Sequence, residues 1–443
     1  MSFVVLILAG LFVPLLYKRH IITAKIVAVS AFALAAIFIL NGNSLSQFFN
    51  YFDSDASTRL MEYVLLLTLA AVSVSLTGFE RPMISQMLFL GGVSLAILEV
   101  NNFFVFIILF EVIAIISYVL VANIRNYYNA EGAIKTFIAG AVAGGVILLG
   151  FALFTLVTSS FNYAEMNVGG KYTLVAAAIM LAGIFYKLTI VPMHGWASDA
   201  YAQINHAAAA VLSGVIKSVI LVAVFKAFYP FLKSYPSVSV LIFGFFAILT
   251  MTLANFMALW QRRVSKVLAY SSIAHSGYAL IPFAAIGSKF AFSGILYYAI
   301  AYIFMQTAAF LVLNSLRKEM GVKYVEDLRG LGSRSPLIAL FFTIQLFSLA
   351  GIPLLAGFLS KAVAFYAGID AGLWPLVLVA ALNSALAVGY YALLVKQIYF
   401  DRPAEGVAAV RIPLGALIGQ VGFLAGTVYF GIVAGQVIGV SVL

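Results

Sequence analysis

Apolar runs of bilayer-spanning length recur along this 443-residue chain from its first residues to its last, parted by short polar stretches. That recurrence constrains the fold more than any single motif. A helix of about twenty apolar residues satisfies its own backbone hydrogen bonds and crosses a hydrocarbon core about 30 Å thick. The residue counts agree, with 64% hydrophobic and only 9% charged, and a mean hydropathy of +1.11. The expected class is an all-α polytopic membrane protein embedded in the lipid bilayer. About fourteen spans are expected, at roughly 3–17, 22–40, 60–79, 82–100, 102–124, 134–158, 172–192, 207–229, 237–259, 264–287, 290–316, 336–368, 372–398 and 412–441. The first run, Val4 to Tyr17, has no basic residue before it and no small-residue cleavage site, so it reads as a retained span.

The net charge of +10 would suggest nucleic acid in a soluble chain. Here its distribution speaks of topology instead, and no nucleic-acid partner is expected. Most loop lysines and arginines, among them Lys18, Arg19, Arg125, Arg262, Arg263, Arg317, Lys318 and Arg402, fall in odd-numbered connections. The few in even-numbered connections include Arg59, Lys171, Lys226, Lys233 and Lys289. The positive-inside rule then puts odd loops in the cytoplasm and both termini on the outer side of a prokaryotic cytoplasmic membrane. The charged stretch from Arg317 to Pro336 reads as a solvated connector with a helical turn across VEDL.

Absences narrow the chemistry. There is no cysteine, hence no disulfide framework and no thiolate ligation of a cluster or zinc. The four histidines, His20, His194, His206 and His275, are scattered over four segments and suggest no metal or haem site. No phosphate-binding glycine loop and no dinucleotide fingerprint occurs. The chain is expected to bind no cofactor or metal of its own.

What remains is charge inside the membrane. The stretch Met180 to Phe228 carries Lys187 and Lys217 in consecutive spans around a polar hinge. A lysine at mid-bilayer costs several kcal/mol unless it faces a wet or charged interior. The alternative is an amine that snorkels to the headgroups, a reading open to Lys187 near the hinge and more so to Lys135, one turn into span six. Glu131, four residues before Lys135, would support it as a surface pair. Lys361 in LLAGFLSKAVAF has no such excuse. Glu111, within FFVFIILFEVIAIISYVLV, needs a cationic partner, and Lys187 is the natural candidate. His275, with Ser271, Ser272, Ser276 and Tyr278, forms a polar patch in an apolar helix, where imidazole can both take and give a proton. Tyr201 and His206 could contribute beside the hinge, while His20 reads as loop.

Two spans are interrupted in related ways, AGIFYKLTIVP in the seventh and AGIPLLAGFLSK in the twelfth. Broken helices at membrane depth are tolerated where they line a cavity, and paired breaks point to an inverted repeat around a transport path. The expected organisation is N-terminal helices at 1–81, a first five-helix unit at 82–233, a second, inverted unit at 234–400, and a C-terminal helix at 401–443. Burial disfavours the charged form of an amine and a nearby carboxylate restores it, so moving either partner loads or unloads a proton.

These residues resemble the antiporter-like membrane subunits of respiratory complex I, most closely those of the subunit N type. The match is carried by FEVIAIISYVL with EGAIKTF, FYKLTIVPMHGWASDAY, RRVSKVLAYSSIAHSGY, and LRGLGSRSPLIALFFTIQLFSLAGIPLLAGFLSKAVAF followed by LNSALAVGYYALLVKQIYF. The resemblance implies a fourteen-helix core with inverted five-helix repeats, and a proton path through Glu111, Lys187, Lys217 and Lys361, with Lys135 at a further family position. It implies quinone reduction elsewhere in the complex as the driving force. Flavin, iron–sulfur clusters and quinone would sit on partner subunits: antiporter-like and quinone-proximal membrane subunits and, through them, a peripheral redox arm. One departure leaves a second group open. Where a Pro-Thr-Pro type segment is usual, this chain reads INHAAAAVLSGVIKS, which leans toward multisubunit sodium or potassium/proton antiporters and membrane-bound hydrogenases.

Overall fold

The computed structural model describes residues 2–16, 21–42, 45, 50–77, 80–122, 127–402 and 412–433. Among them the only extended pairings are isolated bridges, such as Phe52 with Val100 and Asn102 with Asn162. Everything else regular is helical. The N-terminal helices are α1 (Ser2–Phe12), α2 (Ile21–Leu40) and α3 (Ala56–Ser75). Next come α4 (Arg81–Glu99), α5 (Phe103–Ala122), α6 (Tyr127–Thr155), α7 (Lys171–Lys187), α8 (Gly195–Gln203), α9 (His206–Ala210) and α10 (Lys217–Ser234), with a π-turn at Val211–Ile216 joining the last two. Then follow α11 (Pro236–Leu259), α12 (Val264–Ala279), α13 (Ile281–Ala284), α14 (Ala291–Met320), α15 (Leu331–Arg334), α16 (Pro336–Ala350), α17 (Ala356–Asp370), α18 (Trp374–Tyr399) and α19 (Leu414–Ile432). A 3₁₀ turn at Val325–Leu328 occupies the VEDL stretch, as its sequence suggests.

Local rules set the boundaries. The Asp55 carboxylate accepts from the Thr58 N–H at 2.6 Å and caps α3. Proline stands in the first turn of α4, α11, α16 and α18, where no backbone donor is missed. Gly321 (φ 69°) closes α14 in the left-handed conformation.

Among the described residues, ten helices are long and apolar enough to cross a membrane. Helices at the other expected positions are shorter, as in α1, α12 and α16, or broken, as in α7–α8 and α16–α17. The interior is built on two of the long ones. Both His206–Ser234 and Ala291–Met320 are enclosed by other helices, which is why mainly apolar residues can cover every face of them. The rim turns apolar side chains outward, among them Ile22 and Ile37 on α2, Val142 and Leu149 on α6, and Leu241 on α11. α7 packs chiefly on α6, and α17 on α14.

Candidate functional site

The two helix breaks are the same local structure. α7 ends with the Ile190 N–H donating to the Phe185 carbonyl at 2.9 Å, and α16 ends with the Ile352 N–H donating to the Phe347 carbonyl at 2.9 Å. Each is the six-to-one bond of a Schellman turn, which needs a left-handed residue just past the helix. At the second break that residue is Gly351 (φ 92°), and at the first it is Thr189 (φ 59°). A β-branched residue is poorly suited to this conformation, at a cost of about 1–2 kcal/mol. Thr189 brings a buried hydroxyl in return.

The Thr189 Oγ1 accepts from Lys217 Nζ at 2.9 Å and lies 3.3 Å from the Ser276 Oγ. Lys217, 2% exposed, completes its shell on Ser272, donating to the hydroxyl at 2.8 Å and to the carbonyl at 3.1 Å. It thus has three oxygen acceptors and no carboxylate. Ser272 Oγ also receives the Tyr302 hydroxyl at 2.8 Å. One turn along α12, His275 is buried, its Nδ1 2.6 Å from the Tyr298 hydroxyl, its ring 5.3 Å from that of Tyr302, and it faces the Leu349 carbonyl. That carbonyl belongs to the second break and also accepts from Lys361 Nζ at 3.1 Å. Lys361, 4% exposed, donates further to the Ala350 carbonyl at 2.9 Å and Ser384 Oγ at 3.0 Å, and sits 5.2 Å above the Tyr278 ring. Its ammonium thus caps the negative end of α16. From Lys217 to Lys361 two hydrogen-bonded groups form one seam, meeting where the His275 ring lies against Tyr302, running along α12 and bounded by both breaks.

The other end is looser. Lys187, half-buried at the last position of α7, donates to Ser117 Oγ at 2.9 Å and lies 5.3 Å above the Tyr118 ring. The expected ion pair with Glu111 is not made. Glu111 Oε1 is buried without a partner, packed over the bare Cα of Gly144, and the carboxylate borders a cleft of about 530 Å³ with Ile115, Tyr118 and Phe137. Ser117, six residues along α5, has taken the ammonium. No side-chain hydrogen bond among the described residues joins Lys187 to Lys217, and the link is the backbone from Lys187 to Thr189.

Lys135 is exposed on α6, away from the seam, in keeping with a snorkelling amine. His206 is buried against Phe310 with its Nδ1 unpartnered, and Tyr201 packs on the same ring; neither joins the seam. His20 and the side chain of Glu131 lie outside the described residues. Lys226, grouped above with an even-numbered loop, is instead half-buried within α10, donating to Thr58 Oγ1 and the Leu98 carbonyl. Sequence reading also missed Thr189, Tyr298, Tyr302 and Ser384. Thr189 carried a visible signal, since it stands in a broken span where the matching break has glycine.

Comparison with known proteins fits this geometry. Residues 100–387 match the family model described as NADH:quinone oxidoreductase/Mrp antiporter, TM. The chain belongs to this family. Both breaks, α12, Glu111, Lys187, Lys217 and Lys361 lie within the matched region. Among similar family members, NADH-quinone oxidoreductase subunit N of Parvibaculum lavamentivorans is 32% identical over 85% of this chain and 82% of its own length. F(420)H(2) dehydrogenase subunit N of Methanosarcina mazei is 31% identical over 89% of this chain and 82% of its own. The fold is also that of a chain in respiratory complex I from Thermus thermophilus (TM-score 0.83, 23% identity, 99% of both chains). A chain of the Mrp complex from Dietzia sp. shares it too (TM-score 0.88, 20% identity, 99% of this chain and 94% of that one).

Proposed function

We propose that this chain is a proton-translocating membrane subunit of a complex I-type NADH:quinone oxidoreductase. Its substrate is the proton, and it holds no redox group. The observation that carries the reading is the seam: two buried lysines joined through hydroxyls, a histidine and the end of a broken helix, in a family of redox-complex membrane subunits. Lys217 and Lys361 store protons, while Thr189, Ser272, His275 and Tyr298 relay them. Glu111 and Lys187 form the loading end. Their separation belongs to the mechanism, because a carboxylate that approaches Lys187 favours the charged amine and one that withdraws favours its release. Ser117 holds the ammonium in the withdrawn state. The Lys135 position serves the cytoplasmic rim.

The finer architecture follows the same reading. Fourteen spans are arranged as N-terminal helices at 1–81, two inverted units at 82–233 and 234–400, and a closing helix at 401–443, with both termini on the outer side of the cytoplasmic membrane. Redox work reaches the seam through neighbouring antiporter-like and quinone-proximal subunits, and flavin, iron–sulfur clusters and quinone belong to the partners. The second reading is a subunit of a cation/proton antiporter, favoured by INHAAAAVLSGVIKS and by the likeness to the Mrp complex chain.

Mild-detergent purification from native membranes, followed by mass spectrometry, separates the two. Flavin and iron–sulfur subunits in the same particle support the redox-driven pump. A set of membrane subunits with no redox protein overturns it in favour of the antiporter.

A further inference from the structure

A second group of buried charges lies outside the seam, where the far ends of α3 and α4 meet α10. Glu62 of α3 is fully buried, and both of its carboxylate oxygens lack a donor. Glu99, the last residue of α4, is 1% exposed and faces Glu62 at hydrogen-bonding range, while its Oε2 accepts from the Leu45 N–H at 2.8 Å. Two carboxylates offer each other no donor. A buried pair at that range holds together when one proton lies between them. Lys226 of α10 is close enough to feel both charges but spends its donors on Thr58 Oγ1 (3.0 Å) and the Leu98 carbonyl (2.8 Å). Arg59, Asp53, Asp55, Tyr63 and the charge of the chain's amino terminus also act on this group.

This group has its own access. A cavity of about 440 Å³ is lined by Lys226, Lys233, Tyr229, Phe225, Tyr163 and Phe292. Deeper along the same helices, Ser94 on α4 and Ser218 on α10 carry buried hydroxyl oxygens without partners. The arrangement is a buried acid pair, a lysine beside it, a cavity that the lysine lines, and unused hydroxyls toward the interior.

We propose that Glu62 and Glu99 form a proton-release station for the first helical unit, with Lys226 as its gate to the outer cavity. The inference rests on the proton-pump reading above and on its placement of the even-numbered loops outside. In the loaded state the pair holds one proton, so one carboxyl is neutral, the other is anionic, and Lys226 balances it. On release the proton passes to water in the cavity and leaves two carboxylates beside one ammonium. That excess negative charge draws the next proton from the interior and restores the pair. Lys226 is the positioning residue: it sets how long the doubly charged state lasts.

The test uses the intact complex in sealed vesicles. Glu62→Gln and Glu99→Gln are each expected to lower redox-driven proton pumping to about a tenth or less. Lys187→Ala serves as the control for the main path. Infrared difference spectra of the wild-type complex should contain a protonated-carboxyl band that Glu62→Gln removes, a change a purely structural role would not produce. Lys226→Met should keep that band while slowing pumping. Full pumping in both glutamine variants, with Lys187→Ala inactive, overturns the station and leaves the main reading standing. Full pumping in Lys187→Ala as well overturns both. If a glutamine variant fails to assemble, the band in the wild-type complex decides: its absence overturns the proposal.

Discussion

At the residue scale, the buried lysines differ in what they hold together. Lys361 supplies three hydrogen bonds, two of them to the last carbonyls of α16, whereas Lys187 supplies one, to a serine. A buried acceptor left without its donor costs about 1–3 kcal/mol. Lys361→Ala is therefore expected to destabilise the assembled complex by about that much or more, and Lys187→Ala by less than about 1 kcal/mol. Thermal unfolding in detergent compares them, and equal losses would contradict the bonding described. Thr189 separates shape from chemistry. Thr189→Val keeps the branched shape and the left-handed backbone but removes the acceptor for Lys217 Nζ. Pumping is expected to fall at least about tenfold while assembly persists, as measured by proton uptake per electron transferred.

At the scale of the element, a helix break at membrane depth survives only if the freed backbone groups are met and the two halves fit. At α16–α17 the fit depends on Gly357, whose N–H donates to the Ser348 hydroxyl at 3.1 Å. A Cβ there would collide with the Ser348 carbonyl oxygen, a backbone atom with no rotamer to yield. Gly357→Ala is expected to cost about 3 kcal/mol or more, the upper end of overpacking, and to displace Lys361 from its carbonyls. Lower yield of assembled complex with lost pumping is the expected readout, and a normal yield would show that the halves can slide apart. The π-turn before Lys217 has a similar constraint, because a Cβ on Gly214 would collide with the Thr307 hydroxyl.

Across the whole molecule, the N-terminal helices are tied to the transport core through Glu80, just before α4. Its Oε1 takes Lys318 of α14 at 2.7 Å and Asn314 and Asn205 at 3.1 Å each; its Oε2 takes the Thr77 N–H at 2.9 Å. Asn205 in turn caps α9, the start of the span that carries Lys217. Burial alone would raise the Glu80 carboxyl, but the Lys318 charge and these donors outweigh it and hold it below the ordinary carboxylate range. A carboxyl so held stabilises the fold above its unfolded value, and that stability is lost as pH falls through its folded one. Glu80→Gln is expected to remove this acid-side dependence and to cost about 1–3 kcal/mol at neutral pH, read from unfolding profiles across pH. An unchanged acid limb would contradict the tie.

Much of this was legible in the sequence because the bilayer enforces simple rules. Glu111, Lys187, Lys217 and Lys361 stand out where charge is expensive, and the two breaks were marked by glycine and proline. Contacts between spans were not legible. Lys187 prefers Ser117 to Glu111, and His275 reaches the carbonyl end of the second break, because helix rotation decides which faces touch. Glu62 and Glu99 escaped notice since each stands near a span end, where a carboxylate passes for a loop charge. Lys226 escaped for the same reason.

The central claim is that protons travel along the seam anchored by Lys217. The most direct measurement is redox-driven proton uptake by the intact complex in sealed vesicles, comparing the wild type with Lys217→Met, which keeps the side chain's bulk. The expected result is an assembled complex whose proton uptake through this subunit is abolished, lowering the protons moved per electron. An assembled complex with unchanged uptake per electron would contradict the claim.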